Sequence, residues 1–137
     1  NLNAKEGWYI KLNQNLGEKS LSIPTLFNGV LYYTTFQPTF DPTGTDPCFL
    51  SEGRARLYAV GYKTSNAVFN LDGLGTMGSL TRSDRSIEMG TSIPSGVIVT
   101  FVGGTTVAYG GVGGGIYRPP LPSTKNIIPI NWKTVTK

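Results

Sequence analysis

The sequence has no histidine among its 137 residues. The usual general base and the commonest metal ligand are therefore both missing. Ser95, set between Pro94 and Gly96, lacks the partner that a nucleophilic serine needs. Cysteine occurs once, as Cys48, so no disulfide forms within the chain. That thiol either pairs with a missing segment or another chain, or stands free in a loop. Charge is sparse at 15% of residues, and long polar helix faces normally need more. No helical period extends beyond two turns, and no apolar run is long enough to span a bilayer as a helix. Twelve basic and eight acidic residues give a formal charge of +4. The basic residues are scattered from Lys5 to Lys137 with no run among them, which argues against a nucleic-acid partner.

What the chain has instead is turn and strand material. Eighteen glycines and nine prolines are more than helices tolerate. Val, Ile, Thr, Tyr and Phe are the residues that pleated surfaces favour. One phrase occurs twice, Ser22-Ile23-Pro24 and Ser92-Ile93-Pro94, each time leading into an apolar run. Asn28-Gly29 interrupts the first run and Gly103-Gly104 the second, and both dipeptides reach the positive φ of two-residue hairpin turns. The fold class is all-β and antiparallel.

The alternation predicts a short strand at Gly7–Leu12 and further strands near 22–27, 30–36, 55–62, 67–71, 96–101, 105–112 and 128–134, with loops at 37–52 and 72–86. Four short strands in succession make a β-propeller blade. Residues 17–71 then form a first blade and 87–137 a second, terminal one. Leu57-Tyr58-Ala59-Val60 followed by Thr64-Ser65-Asn66 resembles the third-to-fourth strand passage of quinoprotein-like blades. Trp8 and Trp132 fall in comparable outer strands and read as packing between blades. Propellers close with about four to eight blades, so two blades are incomplete alone. The expectation is a partner covering Leu26, Leu31, Val97 or Val99. Asn1 is not a natural start residue, and the expectation is that an earlier segment has been removed.

Several stretches together resemble one family. They are Ser22-Ile23-Pro24, Gly29 to Pro38, the loop with Asp46-Pro47-Cys48, Gly53 to Val60, Ile93 to Gly96, Gly113 to Tyr117, and Ile130 to Val135. Their order is similar to the C-terminal propeller of PilC/PilY-type proteins, the type IV pilus biogenesis factors and tip-associated adhesins. The resemblance implies an extracellular or outer-surface, pilus-associated protein that supports pilus assembly, adhesion and twitching motility without enzyme activity. It implies minor pilins at the pilus tip, or the remaining propeller blades, as partners. Family members can carry a calcium loop. Here Asp41…Asp46 and Asn70-Leu71-Asp72-Gly73 lack the ligand spacing of such a loop, and no cofactor is expected.

The candidate partner-binding residues are Phe40, Cys48 and Phe49, in a loop too long to serve only as a turn. Two other readings stand beside the pilus one. A quinoprotein dehydrogenase-like enzyme shares the blade pattern but needs acidic calcium ligands and a stacked tryptophan. A carbohydrate-binding β-domain would use Tyr32, Tyr33 or Tyr58 as stacking platforms. The glycines from Gly110 to Gly115 do not make a phosphate loop, because Ile116-Tyr117-Arg118-Pro119-Pro120 cannot open a helix. They read as a low-bulk strand passage.

Overall fold

The computed structural model describes residues 7–13, 15–39, 52–74 and 76–123. Within them the chain is all-β, with strands β1 (Lys19–Ser20), β2 (Thr25–Phe27), β3 (Val30–Gln37), β4 (Arg54–Gly61), β5 (Ser86–Gly90), β6 (Ile98–Val102), β7 (Thr105–Val112) and β8 (Gly115–Tyr117), plus one 3-10 turn at Ser83–Arg85. A five-stranded sheet runs β1-β3-β4-β5 with β2 also on β3, and a three-stranded sheet runs β6-β7-β8. All pairings are antiparallel. Neither a closed barrel nor a ring of blades forms among the described residues.

The turn residues act as their chemistry dictates. Asn28 and Gly29 take φ of 45° and 81°, and Gly103 and Gly104 take 58° and 80°. Such values suit a two-residue hairpin turn whose twist matches the strands. Gly113 and Gly114 make a third turn of this kind, between β7 and β8, at φ of 55° and 77°. The low-bulk passage holds at Gly110, Gly111 and Gly113, where an added Cβ would meet Met89, Ser95 and Ser92, whereas nothing approaches Gly114.

Three expected strands differ. Pro24 has no amide hydrogen to donate, and of the edge strand expected over 22–27 only Thr25–Phe27 (β2) forms, while Lys19–Ser20 (β1) pairs separately with β3 just before it. Ser22 covers the gap, since its Oγ accepts from the Thr34 amide at 3.3 Å and lies 2.8 Å from Thr34 Oγ1. Residues 67–71 are not a strand. They keep a single bridge, Val60 to Ala67, and the edge of β4 is taken by β5 instead. The fourth layer of the first sheet thus comes from Ser86–Gly90, across the boundary expected between two blades. The segment Gly7–Leu12 is extended but belongs to no sheet. The expected strand at 128–134, with Trp132, lies outside the described residues.

Register assigns the two faces of the first sheet. Val30, Tyr32 and Thr34 pair with Gly61, Ala59 and Leu57, and their side chains share one face. That face packs on Val99 and Ala108 of the second sheet, on Val97 just before β6, and on Leu71, Phe69 and Leu121. Burying a side chain such as Leu57 stabilises the fold by about 1.5–3 kcal/mol. Polar side chains tie the layers. Thr25 Oγ1 donates to the Val97 carbonyl at 2.6 Å, Thr34 Oγ1 to that of Ser95 at 2.9 Å, and the Tyr32 hydroxyl to that of Pro120 at 2.8 Å. The repeated phrase is thereby explained in part. Ser22 sits beside Gly96, whose Cβ would lie 3.5 Å from that of Ser22, so the first copy abuts the end of the second.

The opposite face carries Leu31, Tyr33, Thr35, Arg56, Tyr58 and Val60. Trp8, Ile10 and Leu12 cover its Leu31–Val60 end, and Trp8 Nε1 donates to the Tyr62 carbonyl at 2.7 Å. Of the residues expected to need a partner, Leu31, Val97 and Val99 are thus packed inside this chain, and Leu26 is exposed.

Candidate functional site

Where the cover of Trp8–Leu12 stops, the opposite face of the first sheet opens into a cleft of about 520 Å³. One wall is the extended segment Tyr9–Asn13. The floor is Arg56, Tyr58 and Ser86 on adjacent strands, beside Glu18. The other wall is the connection that contributes Asp72, Arg82, Ser83 and Arg85. The volume falls in the range typical of ligand pockets.

Glu18 is only 6% exposed, yet it has no cationic partner among the described residues. Neutral groups satisfy it instead. Thr35 Oγ1 and the Tyr58 hydroxyl donate to Oε1 at 2.6 and 3.0 Å, and Asn15 Nδ2 donates to Oε2 at 2.6 Å. The Tyr58 ring stacks on Tyr33 at a centroid distance of 4.7 Å and an interplanar angle of 8°. Burial, and then the charge and hydrogen bond of Glu18, push the Tyr58 hydroxyl up to about 12. Tyr33 rises through burial and the neighbouring Tyr58 and Glu18.

The cations of the cleft are left over by this arrangement. Lys11, Arg56, Arg82 and Arg85 line it. The ion pair among the described residues is Arg54 with Glu88, at the exposed sheet rim. The Nε atoms of Arg56 and Arg85 are buried with no hydrogen-bond partner. Asp72, the second carboxylate of the cleft, accepts from the Leu74 amide at 2.8 Å and turns its own loop. The basic residues are scattered along the sequence, and the fold collects four of them. The linear signal was Arg56 alone, a charge in the middle of Ala55-Arg56-Leu57-Tyr58, where an edge exposed to water is not expected.

A second surface lies on the outer face of the second sheet. Ile98 and Val102 alternate there on β6, beside Val107 and Tyr109 of β7 and Ile116 of β8. Ile98, Val102 and Ile116 are 67%, 56% and 74% exposed. The Arg118 guanidinium stands 5.4 Å from the centre of the Tyr109 ring.

Phe40, Cys48 and Phe49 lie outside the described residues. The chain on either side of them is clamped, since Thr39 Oγ1 donates to the Glu52 carbonyl at 3.2 Å and Thr91 Oγ1 to Glu52 Oε2 at 2.7 Å. The tyrosines expected as stacking platforms are corrected. Tyr32 is 0% and Tyr33 and Tyr58 are each 9% exposed, because their ring-sized apolar areas fill the two cores. No protein-family model, no curated protein and no solved structure matches the chain.

Proposed function

We propose that this chain is a non-enzymatic structural and interaction module of a cell-surface protein of type IV pilus assembly or of the pilus tip, supporting pilus biogenesis, adhesion and twitching motility. The observation that carries the interaction reading is the apolar outer face of β6–β8, with Ile98, Val102 and Ile116 exposed together. A sheet stacked against one neighbour and apolar on its other side suits a blade in a series, where the next blade or a minor pilin covers it. The pilus assignment rests on the resemblance of the Ser-Ile-Pro phrases and the strands around them. The dehydrogenase alternative needs an acidic calcium site, whereas the cleft sets four cations against two carboxylates.

The test is Ile98→Asp with Ile116→Asp in the complete protein in its native host. Both positions are exposed, so the fold should lose no more than about 0.5 kcal/mol each. Surface pili and twitching should fall sharply. Unchanged piliation and motility with this pair would refute the reading, as would a protein that whole-cell protease treatment never reaches.

A further inference from the structure

We infer that the cleft over Arg56 is a docking site for an extended acidic segment of a partner protein. The segment lies beside Tyr9–Asn13 and seats its carboxylates on Arg56, Arg85 and Arg82. This deepens the reading of the chain as an interaction module and rests on it.

Charge is the first ground. Four cations line the cleft, and none has an ion pair among the described residues. Glu18 also lines the cleft, and its oxygens are taken by Thr35, Tyr58 and Asn15. The buried Nε atoms of Arg56 and Arg85 therefore keep donors with no acceptor. An incoming carboxylate gives the cleft cations the ion-pair partner they lack, and a guanidinium fork meets it through two parallel bonds. Arg56 is held on β4, paired with Thr35 of β3 and Glu88 of β5, and Arg85 is fixed by the 3-10 turn that enters β5. Both anchors are held by rigid elements before the ligand arrives, which lowers the entropy cost of docking.

Shape is the second ground, and it selects a peptide over a compact oxyanion. The cations come from three separate elements, with Lys11 on the extended segment, Arg56 on the sheet and Arg82 and Arg85 on the connection. Charges spread along two walls and a floor suit several carboxylates on one chain. The extended segment turns Ile10 and Leu12 onto the sheet and leaves Tyr9, Lys11 and Asn13 outward. Its backbone from 9 to 13 makes no backbone hydrogen bond to a described residue. An extended peptide beside it gains main-chain bonds, as in strand addition.

The test is fluorescence anisotropy on the intact chain with a short labelled peptide of alternating glutamate and threonine. The same peptide with glutamine for glutamate is the control. The acidic peptide should bind saturably, more weakly as salt rises, and at least about tenfold tighter than the control. Arg56→Gln and Arg85→Gln should each weaken it by about tenfold, and Arg85→Lys by less. Circular dichroism and thermal melts confirm that each variant is folded. No saturable binding at millimolar peptide overturns the inference. Equal binding of the glutamine peptide, or unchanged binding to the folded Arg56→Gln/Arg85→Gln pair, also overturns it. Inorganic phosphate or sulfate displacing the peptide as effectively as unlabelled acidic peptide does would show a simple oxyanion site and refute the peptide reading. Loss of this binding with the Ile98 and Ile116 results intact would sink only the cleft proposal, and the reverse would sink only the pilus reading.

Discussion

Replacing Tyr58 by Phe removes one oxygen from the centre of the cleft and little else. The ring keeps its place on Tyr33, 4.7 Å away and nearly parallel, so packing and stacking are unchanged. What is lost is the 3.0 Å bond from the hydroxyl to Glu18 Oε1. Tyr58 and Glu18 are 9% and 6% exposed, so water does not replace the lost donor freely. A hydrogen bond to a charged group contributes about 1.5–3 kcal/mol, and Thr35 and Asn15 still hold the carboxylate. The expected loss is about 2 kcal/mol. For a chain of this length that lowers the melting temperature by roughly 6–10 °C. Thermal and urea melts of the purified chain at neutral pH measure it. The same substitution in a Glu18→Gln background should cost at least about 1 kcal/mol less, because the charge that the hydroxyl served is gone. A Tyr58→Phe chain that melts within about 2 °C of the parent, or a cost identical in both backgrounds, would show that Glu18 does not depend on this donor.

Alkaline pH should unfold the chain through its buried tyrosines. Burial raises Tyr58 from 10.0 to about 12, and Tyr32 and Tyr33 rise through burial too, so the folded state holds these protons more tightly than the unfolded one. Their contribution is full below about pH 10 and is lost as pH climbs through the folded value. Urea midpoints should drop across that window, and ultraviolet titration should show these hydroxyls ionising late; ionisation of all seven tyrosines together near pH 10 in the folded chain would contradict it. Gly53→Ala should destabilise by about 1–3 kcal/mol in urea melts, since the new methyl runs into the Phe36 ring and the Gln37 carbonyl; a neutral result would remove that close approach. Thr34→Val removes the hydroxyl that bonds the Ser95 carbonyl and meets Ser22 Oγ, and should cost about 1–3 kcal/mol in urea melts, with no cost meaning that water serves those groups equally well.

The sequence by itself determined the class and the hairpins. Asn28-Gly29 and Gly103-Gly104 reach positive φ at little steric cost, and period-2 alternation around them leaves few options beyond antiparallel strands. These are local effects, decided within a few residues. Which strand occupies which edge was decided by tertiary structure. Residues 67–71 alternate well enough to be a strand, but Ser86–Gly90 takes the edge of β4, and Val68, Phe69 and Leu71 pack into the core without a ladder. Burial of Tyr32, Tyr33 and Tyr58 was equally invisible, because an aromatic ring suits a core and a sugar platform alike until both faces of its sheet are covered. The cleft is the furthest from the sequence. Lys11, Arg56 and the neighbouring pair Arg82 and Arg85 are separated from one another by long stretches of chain, and no local pattern links the three groups. They meet because Trp8, Ile10 and Leu12 cover only one end of a sheet face, and the connection into β5 walls the other. Their unpaired charge reflects the tertiary arrangement, in which the neutral donors Thr35, Tyr58 and Asn15 satisfy Glu18 and none of the four cations pairs with it among the described residues.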